Sequence, residues 1–283
     1  MMFLILRRLT NERTYFGSRK FNRNFKTKKE KKVLVDNLNF KLYEGQCLGI
    51  LGESGSGKSL TVKAILGLLD RNFEITGKAL FKGKNLLKEN KESLRKLRGE
   101  QVTMVLQNPM TCFDPLCKIN DQIAETFAMH LNLSKKEIHE LSIELLNKML
   151  IKDPEEVLEK YPHQLSGGML QRIMIGIALA LKPDLLVADE PTTAIDAITQ
   201  YEILEEFMHI KERKNTSMIF ITHDLGAISK VADEIIVMNK GRLVDQGNFD
   251  YILHYAKDEY TRLLVEKKLA VMKQYREVVD KKE

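Results

Sequence analysis

The stretch Cys47-Leu48-Gly49-Ile50-Leu51-Gly52-Glu53-Ser54-Gly55-Ser56-Gly57-Lys58-Ser59 decides how this chain folds. Its first five residues form an unbroken apolar run, the pattern of a parallel strand buried on both faces. The next eight fit G-x-x-x-x-G-K-[ST]. A loop that wraps phosphates must turn its backbone N–H groups inward, and glycines permit that curvature and close approach. The apolar-periodic segment from Leu60 to Leu69 predicts a helix beginning near Lys58, whose positive dipole end adds to the site. Gly52, Glu53, Ser54, Gly55, Ser56, Gly57, Lys58 and Ser59 therefore form a candidate phosphate cradle. Lys58 would reach the β- and γ-phosphates, and the Ser59 hydroxyl would ligate Mg²⁺.

Working outward, the pattern alternates between strands and helices. Val33–Val35 and Leu38-Phe40-Leu42 alternate like half-buried strands, and Leu80–Phe81 and Val102–Leu106 are further strand candidates. Phe3–Ile5 suggests a first strand, and the Gly/Asn/Lys-rich residues 17–32 read as an insertion loop. Between about Asp114 and Pro162 helical periodicity dominates, which predicts an inserted helical subdomain. A helix from Ser166, a strand Leu185–Ala188, a helix from Ala197, and strands Met218–Ile221 and Ile235–Met238 follow, as in parallel βαβ units. The expected division is a basic segment at 1–32, an α/β body at 33–255 and a charged helical tail at 256–283.

Two more segments carry chemistry. Leu185–Ala188 ends in Asp189 and Glu190. Asp189 would bind Mg²⁺, and Glu190 would position and polarise an attacking water. Leu165-Ser166-Gly167-Gly168-Met169-Leu170-Gln171-Arg172 reads as a second anion site: Ser166 can cap a helix while Gly167 and Gly168 expose backbone N–H groups. One phosphate loop and a second phosphate-binding helix end in one chain suggest ATP held between two subunits.

With these motifs in this order, the sequence from about residue 33 to 265 resembles the ATP-binding subunits of ABC transporters. The resemblance implies a P-loop α/β fold with a mostly parallel core sheet and an antiparallel β subdomain. It implies that Gln107 senses Mg²⁺ and the γ-phosphate, that His223 holds the γ-phosphate and Glu190, and that Ala194-Ile195-Asp196 is the D-loop, with Ile195 where the family usually has Leu. Tyr15 resembles the aromatic residue that stacks on adenine, with Phe16 as the alternative. The implied catalytic set is Glu190, His223, Lys58 and Gln107, with Ser59, Gln107 and Asp189 around the metal.

Tyr161-Pro162-His163-Gln164, Gln107-Asn108-Pro109-Met110, Ala188–Thr193 and Tyr260-Thr261-Arg262-Leu263-Leu264 are closely similar to the peptide, opine and nickel uptake group. That group implies a bacterial importer with a second ATPase subunit, two integral membrane permeases and an extracytoplasmic substrate-binding protein. This chain would sit peripherally on the cytoplasmic face of the inner membrane. No cysteine follows Cys117, whereas many oligopeptide-type subunits carry a cysteine-rich stretch near the C-terminus. Met169-Leu170-Gln171 is more like the nickel and metal-chelate branch. The reading is nickel or a metal–metallophore complex, with a dipeptide or oligopeptide importer as the alternative.

Composition bounds these readings. The 283 residues are 43% hydrophobic and 30% charged, a globular balance. No run approaches the roughly 18 apolar residues of a spanning helix, and Arg7–Arg8 cut short the apolar Met1–Leu6, so neither anchor nor signal peptide is expected. Three cysteines make no disulfide framework, and a reducing compartment follows. Cys112-x4-Cys117 lacks the other ligands of a structural zinc site. Net charge is +6, with +9 in residues 1–32, +3 from Arg262 onward and −6 between them. The basic arm reads as a solvated segment. A soluble ABC ATPase acting on nucleic acid or ribosomes is the reading from another class, but one cassette and no long heptad coiled coil argue against it, and no nucleic acid is expected.

Overall fold

The computed structural model describes residues 14–18, 22–27, 30–70, 72–193, 195–212 and 215–280, with side chains from residue 33 to 270 apart from a few positions. The chain divides into two compact units, residues 1–94 with 219–283, and residues 95–218.

The first unit begins with β1 (Thr14–Ser18), β2 (Asn22–Thr27), β3 (Glu30–Val35), β4 (Lys41–Tyr43) and β5 (Cys47–Leu51). Helix α1 (Lys58–Ile65) follows, then β6 (Phe73–Thr76), β7 (Ala79–Phe81), β8 (Lys84–Asn85) and the start of α2 (Lys91–Glu100). Two antiparallel sheets have strand orders β4-β1-β7-β8 and β3-β2-β6. All five residues of β5 are buried, which is why the run shows no alternation.

The second unit holds β9 (Val102–Val105), α3 (Ile119–His130), α4 (Lys135–Lys148), α5 (Pro154–Leu158), α6 (Gly167–Ala180), β10 (Leu185–Asp189) and α7 (Ala197–Glu212). Strands β10 and β9 pair in parallel from Leu185↔Val102 to Ala188↔Val105. Ile123, Phe127, Ile138, Leu145 and Met149 line the buried faces of α3 and α4 and the end of α4. Ser134 and Glu137 close a capping box at the start of α4. Gly176 on α6 lets the helices touch: a Cβ there would lie 2.7 Å from Leu145 Cδ2 and 2.9 Å from Met149 Cγ. The chain returns to the first unit through β11 (Ser217–Thr222), α8 (Leu225–Val231), β12 (Glu234–Asn239), β13 (Arg242–Gly247), α9 (Phe249–His254) and α10 (Glu259–Asp280). There β12 pairs in parallel with β5 and antiparallel with β13. A cluster of Leu51, Leu225, Ile228, Ile235, Val237, Ile252, Leu264 and Val265 joins β5, β12 and the C-terminal helices. The fold is α/β with a mostly parallel sheet and an antiparallel subdomain.

Two readings change, and one strand is new. Residues 17–32 were expected as an irregular insertion, yet β2 and the start of β3 lie there. Strand β2 is hydrogen-bonded to β3 on one side and β6 on the other, so backbone pairing rather than apolar alternation defines it. Leu38 and Phe40 are buried, but only Lys41–Tyr43 of that stretch is a strand. Strand β13 has Leu243 and Val244 as its one apolar pair, followed by Asp245 and Gln246, too short a run to mark a strand. Phe3–Ile5 lies outside the described residues. Among those residues, no helix is long and apolar enough to cross a membrane.

Candidate functional site: a nucleotide-binding cassette

In the first unit, the chain leaves β5 at Gly52 and enters α1 at Lys58. The residue before the helix, Gly57, has φ 101°, a conformation that glycine adopts without strain. No side chain caps the start of α1, and its first turn holds no acid. A helix N-terminus with no acid in its first turn presents the positive end of its dipole, which favours an anion. Lys58 is 4% exposed, and its Nζ donates to Gly52 O at 2.8 Å and Glu53 O at 3.0 Å. A phosphate at the helix end would offer this ammonium stronger partners than two neutral carbonyls. The residues present thus fit the triphosphate of ATP.

The loop is held from outside by groups that the sequence did not single out. Tyr260 Oη, at the start of α10, accepts the Glu53 N–H at 2.9 Å. Burial pushes the Tyr260 phenol above its ordinary value, so it stays neutral. Gly241 N donates to Ser56 O at 2.8 Å, and Gly241 O accepts the Asp36 N–H at 2.8 Å. A short match beginning at Tyr260 marked the region but gave no role, and nothing in the sequence ties Gly241 to this loop. His223 follows β11 between two pinned neighbours. Asp224 N donates to Thr222 Oγ1 at 3.0 Å, and Asp224 caps α8 by accepting the Gly226 N–H at 2.8 Å. Tyr15 belongs to β1 at the register shift between Thr14 and Phe16. Its side chain lies outside the described residues.

In the second unit, the parallel register of β9 and β10 sets the carboxylates. Gln107 comes two residues after β9, and Glu190 comes one after β10. Their side chains meet: Gln107 Nε2 donates to Glu190 Oε2 at 3.2 Å. Thr193 Oγ1 lies 3.2 Å from both Glu190 O and Glu190 Oε2. Asp189 is fully buried and Glu190 is 8% exposed. Glu190 has φ 49°, an unusual conformation for a non-glycine residue, and Pro191 follows it. Such strain costs about 1–3 kcal/mol and collects at functional sites. Among the described residues no three His, Cys, Asp or Glu side chains cluster as a metal site. A hard cation held by one carboxylate, one hydroxyl and substrate phosphates needs no such cluster.

Ser166 caps α6 by accepting the Met169 N–H at 3.2 Å. The space beside Gly167 is open, so its backbone is accessible to a ligand. Further along α6, Gln171 Nε2 donates to Pro191 O at 2.9 Å. Arg172 Nη1 donates to Met149 O at 3.1 Å and Leu150 O at 2.8 Å. Burial lowers the Arg172 pKa from its ordinary value, but a guanidinium remains charged. Asp196 caps α7, accepting the Thr199 N–H at 3.0 Å. Ala194 lies outside the described residues. No role for Gln171 or Thr193 is legible from the sequence, because each acts through the loop after β10, which no periodicity reveals.

Residues 35–193 match the family described as ABC transporter. The metal-staphylopine import system ATP-binding protein CntD of Staphylococcus aureus is 44% identical over 246 residues, covering 87% of this chain and 91% of that protein. The dipeptide transport ATP-binding protein DppD of Lactococcus lactis subsp. cremoris is 43% identical over 240 residues, covering 84% and 69%. Among solved structures, an ATP-binding cassette dimer in a post-hydrolysis state bound to ADP and Pi superposes with TM-score 0.75 at 24% identity, covering 83% of this chain and 98% of that one. That likeness concerns the fold. On the family match and the identity to curated relatives, the chain belongs to the ABC transporter family as an ATP-binding subunit.

Proposed function

We propose that this chain is the ATP-hydrolysing subunit of a bacterial importer whose cargo is nickel or a metal–metallophore complex. The observation that carries the cargo reading is the 44% identity to a metal-staphylopine import subunit across 91% of that protein's length. A dipeptide or oligopeptide cargo is the second reading, favoured by 43% identity to a dipeptide transport subunit.

In this reading two cassettes meet head to tail, this chain pairing with a second, different ATPase. Bound Mg²⁺–ATP supplies the phosphoanhydride to be cleaved and the cation that neutralises its charge. Gly52–Ser59 wrap the phosphates, and Lys58 holds the β- and γ-phosphates. Ser59, Asp189 and Gln107 would hold the metal. Glu190 orients and polarises the attacking water, His223 fixes the γ-phosphate end, and Tyr15 stacks on adenine. Ser166, Gly167, Gly168 and Asp196 face the nucleotide of the partner cassette. Two permeases and an extracytoplasmic binding protein complete the importer, with this subunit on the cytoplasmic face of the inner membrane. Closure of the cassettes on ATP drives the permeases to change access.

The test is uptake of radiolabelled nickel and of a labelled dipeptide in the source cells, comparing wild type with Lys58→Ala. Loss of nickel uptake alone supports the metal reading. Loss of dipeptide uptake alone moves the chain to the peptide branch, and unchanged uptake of both contradicts the metal cargo.

A further inference from the structure

We infer that Gln171 is a positioning residue for Glu190, holding the loop after β10 to the helix that Ser166 caps. This rests on the reading of Glu190 as the residue that activates water.

Pro191 has no N–H, so its carbonyl is the only backbone group by which that residue can be tied down. Gln171 Nε2 takes that carbonyl at 2.9 Å, and Gln171 is fully buried. A carbonyl can only accept, which fixes the amide nitrogen as the atom facing it. Gln171 Oε1 has no hydrogen-bond partner among the described residues. A buried amide satisfied at one end only is costly where Met or Leu would fill the same space. The bond to Pro191 is therefore what the glutamine is there to make.

The consequence falls on the residue before. Glu190 sits at φ 49°, and Thr193 Oγ1 and Gln107 Nε2 converge on its carboxylate. If the Pro191 peptide drifts, the Glu190 backbone can leave this conformation, and its carboxylate moves with it. A displacement of about 1 Å in a reacting geometry costs up to roughly 100-fold in rate. Gln171 lies on α6, whose first turn carries Ser166, Gly167 and Gly168. The loop bearing Glu190 thus takes its position from that helix.

The experiment uses the complex purified through an affinity tag on the full chain. The variants are Gln171→Met, Gln171→Leu as a second shape, Glu190→Gln, and Gln171→Met with Glu190→Gln. ATP turnover, KM for ATP and the melting midpoint are measured for each. The expected result is a kcat lowered roughly 10- to 100-fold by Gln171→Met with KM within about 3-fold. In the Glu190→Gln background the same substitution should cost no further turnover. Wild-type turnover in a folded Gln171 variant, alongside an inactive Glu190→Gln, overturns the inference and leaves the reading of Glu190 intact. So does a loss seen only in KM, or an equal further loss in the Glu190→Gln background. Wild-type turnover by Glu190→Gln overturns the assignment of Glu190, and this inference with it.

Discussion

Gly241 and Gly83 form a matched pair that tests how the phosphate loop is held. Their φ angles are 79° and 82°. Replacing either by alanine therefore carries the same backbone cost, about 1–2 kcal/mol for left-handed geometry, partly offset by a stiffer unfolded chain. That shared term cancels in the comparison. What differs is space. A Cβ at Gly83 meets nothing within 4 Å. At Gly241 it collides with Leu34 O and lies 2.8 Å from Leu34 C and 3.1 Å from Val35 Cα, all backbone atoms that cannot swing away. Relief requires the turn to move, which breaks or stretches Gly241 N–H to Ser56 O and Asp36 N–H to Gly241 O, both 2.8 Å. At about 1 kcal/mol for each bond, plus the residual clash, Gly241→Ala should be about 2–3 kcal/mol less stable than Gly83→Ala. Because Ser56 belongs to the phosphate loop, Gly241→Ala should also weaken ATP binding, and Gly83→Ala should not. Urea unfolding and titration with a fluorescent ATP analogue measure both quantities. Equal destabilisation by the two substitutions, or unchanged ATP affinity in Gly241→Ala, refutes this account of the loop.

Two further outcomes are expected. Tyr260→Phe removes the acceptor of the Glu53 N–H, a loss of about 0.5–1.5 kcal/mol of loop organisation, and should lower affinity for the ATP analogue several-fold with the fold intact. The Glu137 carboxyl is held below its ordinary value by hydrogen bonds from the Ser134 side chain and backbone, and those of Glu144 and Glu156 by Lys148 and Lys160. Stability from such groups is whole above the ordinary glutamate pKa of about 4.3 and is lost as pH falls through the lowered values. Melting midpoints measured from neutral pH down to about 3 should therefore drop on the acid side, and the drop should be smaller in Glu137→Gln.

The sequence made legible what periodicity and fixed spacing encode. Strand β5, the turn at Gly57 and helix α1 follow from one apolar run and one glycine pattern, because that loop's geometry is local. Ser166 as a cap follows from its place before an apolar helix. Groups that act across long separations were not legible. Tyr260 reaches Glu53 over 207 positions, and Gln171 reaches Pro191 over 20. Neither bond leaves a trace in composition or period. Strand β2 is not legible for a related reason: the sequence Asn22–Thr27 shows no apolar alternation, and what marks the strand is backbone pairing with β3 and β6. The meeting of Gln107 with Glu190 depends on the register of β9 and β10, which only the folded sheet fixes.

The role of Glu190 is tested by ATP turnover of Glu190→Gln in the purified complex, with ATP binding measured on the same sample. The expected result is ATP affinity within about 3-fold of wild type, accumulation of a closed ATP-bound state, and turnover lowered by roughly 100- to 10,000-fold, the range of a lost general base. Turnover equal to wild type with ATP still bound would contradict it.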